Sequence, residues 1–233
     1  MHHAAVLLTL VAFATLGCQS ADSGTRQLHC TLVHLKSGPR QGLDAEQTRQ
    51  IFGGHFANMQ RLAREGHLLL AGPYGDVRHD RTLRGIFVLD TGDRDRAREL
   101  AESDPGFRAG VFVMEYHDLV TEAPLRALLA RELALEDAAT RAGTKRAPGE
   151  GGRTYVLLTA DDGARAHAAL QGHPAVLLLG RLDQDRTFAL LDVKQVPDLP
   201  AALGPAMDGL GLHVVDGWFG SGEIASLREL GRK

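Results

Sequence analysis

His55-Phe-Ala-Asn-Met-Gln-Arg-Leu-Ala-Arg-Glu-Gly66-His-Leu-Leu-Leu-Ala-Gly72-Pro73 joins the end of a helix to a buried strand. Ile51, Phe52, Phe56, Met59, Leu62 and Ala63 recur at the three-and-four spacing of one helical face. Gly66 supplies the residue type that most easily turns left-handed and closes a helix. Leu68 to Ala71 is an unbroken apolar run, as a strand buried on both faces requires, and Gly72-Pro73 stops it. Upstream, Asp44-Ala-Glu-Gln47 is a capping-box start for the helix, and Leu28 to Leu35 reads as a strand before it. Downstream come a strand at Gly85 to Leu89, a helix from Asp93 to Ser103 with Ala97, Leu100 and Ala101 inward, and a strand from Val111 to Tyr116. The order β-α-β-β-α-β is the ferredoxin-like plan.

Beyond this unit, Pro124 to Ala142 is rich in helix formers, and Gly143 to Arg153 reads as a flexible linker. The same order then recurs. Strands are expected at 155–159, 176–179, 188–193 and 212–219, and helices at 162–171 and 199–207. Leu68-Leu-Leu-Ala-Gly72 answers to Leu177-Leu-Leu-Gly-Arg181, and Asp80-Arg-Thr82 to Asp185-Arg-Thr187. The expected fold class is therefore α+β, with tandem ferredoxin-like units pairing inside one chain. The boundaries are 28–122 for the first unit, 123–152 for helix and linker, and 153–233 for the second. Two unrelated small α+β units are the other reading of the second half.

The composition excludes several function classes. Lys+Arg 26 against Asp+Glu 29 leaves a net charge of −3, without the excess of basic residues that phosphate backbones call for. Two cysteines are too few for a disulfide framework or a cysteine-based zinc site. The amino terminus stands apart. Ala4 to Gly17 carries no charge, is too short to span a bilayer, and suits the apolar core of a secretory signal. It ends in Thr15-Leu16-Gly17-Cys18, similar to the lipobox of bacterial lipoproteins, although Thr15 stands where Leu is usual and the leader has no Lys or Arg. That resemblance implies a signal at 1–17, lipidation of Cys18, a polar tether at 18–27 and a cell-envelope location, with Gln19 pointing to the outer membrane. A conventional signal and a buried amino-terminal element are the alternatives. With Cys18 lipidated, Cys30 has no partner and is expected to be a buried thiol.

Chemistry is expected first at His55, which lies three residues after Phe52 and four before Met59 and so faces the sheet with them. Asp104 follows the second helix at a turn. Both helices of such a unit cover one face of the sheet, so the carboxylate can meet the imidazole, fix its tautomer and raise its basicity. A packed histidine and a turn-capping aspartate are the structural alternatives. Tyr74 and Asp76, just after Gly72-Pro73, are candidates for lining the same pocket, with Asp76 the second choice for the carboxylate partner and a plain Pro-Tyr-Gly-Asp turn the alternative. His29, His34, His55, His67, His79 and His117 have no metal-binding spacing, and patterns for a P-loop, a dinucleotide loop or a nucleophile elbow do not occur. No metal and no cofactor are expected.

His55, Glu65-Gly66-His-Leu-Leu-Leu-Ala-Gly72-Pro73 and Asp104-Pro105-Gly-Phe-Arg-Ala-Gly110-Val111 together resemble the YCII-related family, small dimeric α+β-barrel proteins related in fold to muconolactone isomerase. The resemblance covers about residues 28 to 118. It implies a His–Asp acid–base pair at His55 and Asp104. In the second half the position of His55 falls on Asp161, and the Ala-Gly-Pro triplet becomes Leu179-Gly180-Arg181, so that unit is expected to be degenerate. The whole reads as a lipid-anchored envelope protein moving a proton on a small molecule, as an isomerase or lyase does. It is expected to be a monomer with an internal pseudo-dimer or a homodimer, with no nucleic-acid partner. A non-catalytic envelope protein that binds a small molecule or a protein is the alternative.

Overall fold

The computed structural model describes residues 27–144, 150–183 and 185–231. The expected signal segment, the lipobox-like residues and Cys18 lie outside them, as does the middle of the expected linker. Among the described residues no helix is long and apolar enough to cross a membrane.

The first half runs β1 (Leu28–Ser37), α1 (Ala45–Arg64), β2 (Leu68–Pro73), β3 (Leu83–Leu89), α2 (Arg94–Ala101), α3 (Pro105–Arg108) and β4 (Phe112–Thr121). The second, after α4 (Leu125–Arg141), runs β5 (Gly152–Ala160), α5 (Gly163–Leu170), β6 (Val176–Leu182), β7 (Arg186–Leu191), α6 (Leu199–Leu203), β8 (His213–Ser221) and α7 (Leu227–Leu230). Local chemistry explains the longest helix. The Asp44 side chain accepts from the Gln47 amide while the Gln47 side chain accepts from the Asp44 amide, and Gly66 ends the element at φ +79°.

All eight strands form one antiparallel sheet in the order β2-β3-β1-β4-β6-β7-β5-β8. Each half contributes its own second, third, first and fourth strands in that sequence. The halves join where Leu119, Val120 and Thr121 of β4 pair with Leu182, Arg181 and Gly180 of β6. The last strand of the first half therefore runs to Thr121, beyond the expected Tyr116, because its end is held by a partner distant in sequence. At the far edges β2 and β8 approach each other. The Gly75 amide donates to the Gly217 carbonyl at 2.7 Å, and the Gly217 amide to the Val77 carbonyl at 2.7 Å. Trp218 Nε1 donates to the Gly72 carbonyl at 2.9 Å. The result is a nearly closed sheet.

Strand alternation sorts the apolar residues onto two faces. Leu28, Cys30 and Leu32 of β1 point inward, where Tyr155, Leu157, Phe188 and Trp218 of the second half meet them and α4 adds Leu125, Leu128 and Leu129. Val33 and Leu35 point outward beneath α1 and α2, with Leu62, Phe87 and Leu100. The second half has its own outer core under α5 and α6. Cys30 is buried and unbridged, and burial, reinforced by the Asp90 carboxylate, pushes its thiol up to about 12. It is a packing residue, not a nucleophile.

Candidate functional site

The outer core of the first half contains one buried ionisable pair. His55 Nδ1 lies 2.7 Å from Asp104 Oδ2, with the imidazole about one-tenth exposed and the carboxylate fully buried. Two helix features bring them together. His55 is on the inward face of α1, about two turns before Leu62, the other buried residue of that helix. Asp104 is the N-cap of the short α3, a helix not expected from the sequence: Pro105 sits in its first turn. Gly54 lets the elements approach, since a Cβ there would stand 3.0 Å from Pro105 Cγ.

The carboxylate is divided between two tasks. Oδ1 accepts from the Gly106 amide at 2.7 Å, and Oδ2 faces the imidazole. An ionised carboxylate can only accept, so opposite it the proton of the His55–Asp104 hydrogen bond sits on Nδ1. Among the described residues Nε2 has no hydrogen-bond partner. The ring itself is held by aromatic neighbours. It stacks on Phe87 at 6.0 Å with a 19° interplanar angle, and Phe112, Phe56 and Phe52 stand at 5.4, 5.3 and 6.1 Å.

Beside this ring is a cavity of about 630 Å³ between α1 and the sheet. Its walls are apolar, chiefly Leu43, Phe52, Phe56, Met59, Phe87 and Phe112. Ser37, Arg40, Gln41, Thr48, His55 and Arg84 are its polar groups, and none of its lining residues is acidic. That size and apolar lining suit a small organic molecule.

Tyr74 and Asp76 do not line it. Pro73 does, and strand alternation turns the next side chain to the opposite face. Tyr74 is accordingly buried inside the sheet, edge-on to His34 at 6.0 Å, and desolvation pushes its hydroxyl well above the ordinary range. Asp76 is exposed on the following loop. Sequence reasoning also missed Arg40 and Arg84. Neither belongs to a periodic pattern, and the approach of their loop and strand to the cavity is a tertiary fact. Gly53-Gly54 within a helical run was a readable sign of close approach.

His34, His117 and Asp183 form a separate polar group inside the sheet. His117 Nδ1 is 2.9 Å from Asp183, and the His34 ring is 5.1 Å from that of His117. Burial, with a contribution from His117, lowers His34 to about 4, so it is neutral at ordinary pH. Among the described residues no cluster of three or more His, Cys, Asp or Glu is arranged to hold a metal ion.

Comparison with known families bears on the same segment. Residues 31–120 match the YCII-related domain. This YCII-related domain spans β1 to β4 and contains His55, Asp104 and most of the cavity lining. The family is one of unclear function. No curated protein matches the chain. The second half has no corresponding dyad. α5 begins only at Gly163, so Asp161 precedes the helix instead of lying on its inner face, and Asp208 is exposed.

Proposed function

We propose that the protein catalyses proton transfer on a small molecule, with His55 as the base and Asp104 as its positioning residue. In this reading substrate enters the cavity and presents a carbon-bound acidic hydrogen to Nε2. His55 takes the proton and becomes an imidazolium, which the Asp104 carboxylate stabilises. Returning the proton to a different carbon completes an isomerisation. Expelling a leaving group from the adjacent carbon completes an elimination. The observation that carries the reading is a buried 2.7 Å His–Asp contact, beside a cavity, whose other ring nitrogen has no partner among the described residues.

The assembly forms part of the proposal. The repeated strand order supports two ferredoxin-like units, 28–122 and 153–233, paired within one chain through 123–152, with the second unit closing the sheet and contributing no dyad. The lipobox-like Thr15-Leu16-Gly17-Cys18 supports attachment to the outer membrane of a bacterial envelope through a lipid on Cys18.

Two tests follow. Incubating the protein in D2O with enolisable ketones, lactones and keto acids should load deuterium into at least one of them. His55→Gln should slow that exchange by about 100-fold or more, the usual contribution of a positioned base. Exchange at full rate in His55→Gln, with ligand still bound, would leave a binding protein in place of an enzyme. For the anchor, Cys18→Ala should move the protein from the membrane fraction to the soluble fraction and remove the lipid mass. Retention of Cys18→Ala in the membrane would overturn the lipid reading.

A further inference from the structure

We infer that the cavity selects a carboxylate attached to an apolar body, and that Arg84 and Arg40 receive the carboxylate. The inference deepens the proton-transfer reading by naming its substrate class, and it rests on that reading for the role of the site. The whole chain carries a net charge of −3, yet this cavity is lined by two arginines and no acidic residue. Several arginines of the first half are neutralised: Arg61 by Glu65, Arg64 by Glu136 and Asp137, Arg94 by Asp118. Among the described residues Arg84 and Arg40 have no ion pair, and Arg78, Arg81 and Arg108, which also have none, stand away from the cavity lining.

Arg84 is also oriented. Its side chain is exposed at the cavity rim, and its Nε donates to Ser37 Oγ at 2.7 Å, which biases the orientation of the guanidinium. Among the described residues the two terminal nitrogens have no partner. A fork held in this way matches the two oxygens of a planar carboxylate better than a point charge would. The remaining walls are mainly apolar, with Phe52, Phe56, Met59, Phe87 and Phe112 outweighing Ser37, Gln41 and Thr48, which favours a ring or branched hydrocarbon skeleton over a highly hydrated polyol. A carboxylate held by arginine beside Nε2 also suits the proposed chemistry, because the cation stabilises negative charge that develops when a neighbouring carbon is deprotonated.

Binding of 2-naphthoate, 2-naphthyl phosphate and the neutral 2-naphthamide to the full chain, measured by calorimetry, tests this. The expected result is at least a tenfold preference for naphthoate over naphthamide. Arg84→Gln and Arg40→Gln should each weaken naphthoate severalfold or more and leave naphthamide unchanged. Equal affinities for acid and amide, or naphthoate binding indifferent to both substitutions, would overturn the assignment. Tighter binding of the phosphate than of naphthoate would overturn the carboxylate class. His55→Gln should keep the preference for the acid, so a failure of the catalytic reading and a failure of this one give different patterns.

Discussion

Trp218→Ala should destabilise the protein by about 3–5 kcal/mol, the usual loss for truncating a fully buried large aromatic side chain. Trp218 is among the largest completely buried side chains, and it sits on the seam where the sheet nearly closes. Its indole packs against Tyr155 at 5.9 Å and donates to the Gly72 carbonyl. Removing it leaves a cavity in the core shared by both halves and abandons that carbonyl. Gly72→Val strikes the seam from the other side. A Cβ at position 72 would lie 2.5 Å from the Trp218 ring, and still closer to the Phe219 carbonyl, so β2 would have to move away from β8. A typical domain is stable by only about 5–15 kcal/mol, so either variant should shift a denaturant midpoint markedly. A loss below about 1 kcal/mol for Trp218→Ala would mean that the two edges do not meet in solution.

Asp104→Ala and Asp104→Asn should separate the two tasks of that carboxylate. Alanine removes the N-cap of α3 and leaves the His55 Nδ1 proton buried without an acceptor. Losing the cap costs about 1 kcal/mol and the stranded donor about 1–3 kcal/mol, so about 2–4 kcal/mol is expected in chemical denaturation. Asparagine keeps the shape. Its carbonyl oxygen can still accept from the Gly106 amide, which turns the amide NH2 toward His55. An NH2 donor there requires Nδ1 to be the acceptor, and the ring proton moves to Nε2. Asp104→Asn should therefore be much more stable than Asp104→Ala, and yet lose deuterium-exchange activity nearly as completely as His55→Gln. Equal, small activity losses in both Asp104 variants would reduce Asp104 to a cap.

Much of this was legible in the residues. The first helix announced itself by its capping box and its three-and-four apolar spacing, and Gly66 marked where it stops. His55 could be placed on the sheet-facing side of that helix by counting from Phe52 and Met59. That Asp104 would reach it followed from the expected layer arrangement together with the resemblance to the YCII-related family, not from local spacing. What remained hidden depends on contacts between distant segments. The extension of β4 to Thr121 needs β6, and the burial of Tyr74 needs Trp218, a partner in the other half of the chain. Position on the loop at the end of the second strand makes Tyr74 and Asp76 candidates for the pocket, and only the partner strand shows that Tyr74 turns to the other face. The helix α3 is only four residues long, too short to leave a periodic signal, although its Asp-Pro start carries the N-cap.

The most direct measurement is the 15N NMR spectrum of the His55 ring in the full-length protein. With Asp104 accepting from Nδ1, the neutral ring should show a protonated Nδ1 and an unprotonated Nε2, and Asp104→Asn should reverse the pair. A neutral wild-type ring protonated at Nε2, or averaging freely between the two forms, would contradict the claim that the fold holds His55 ready to accept a proton.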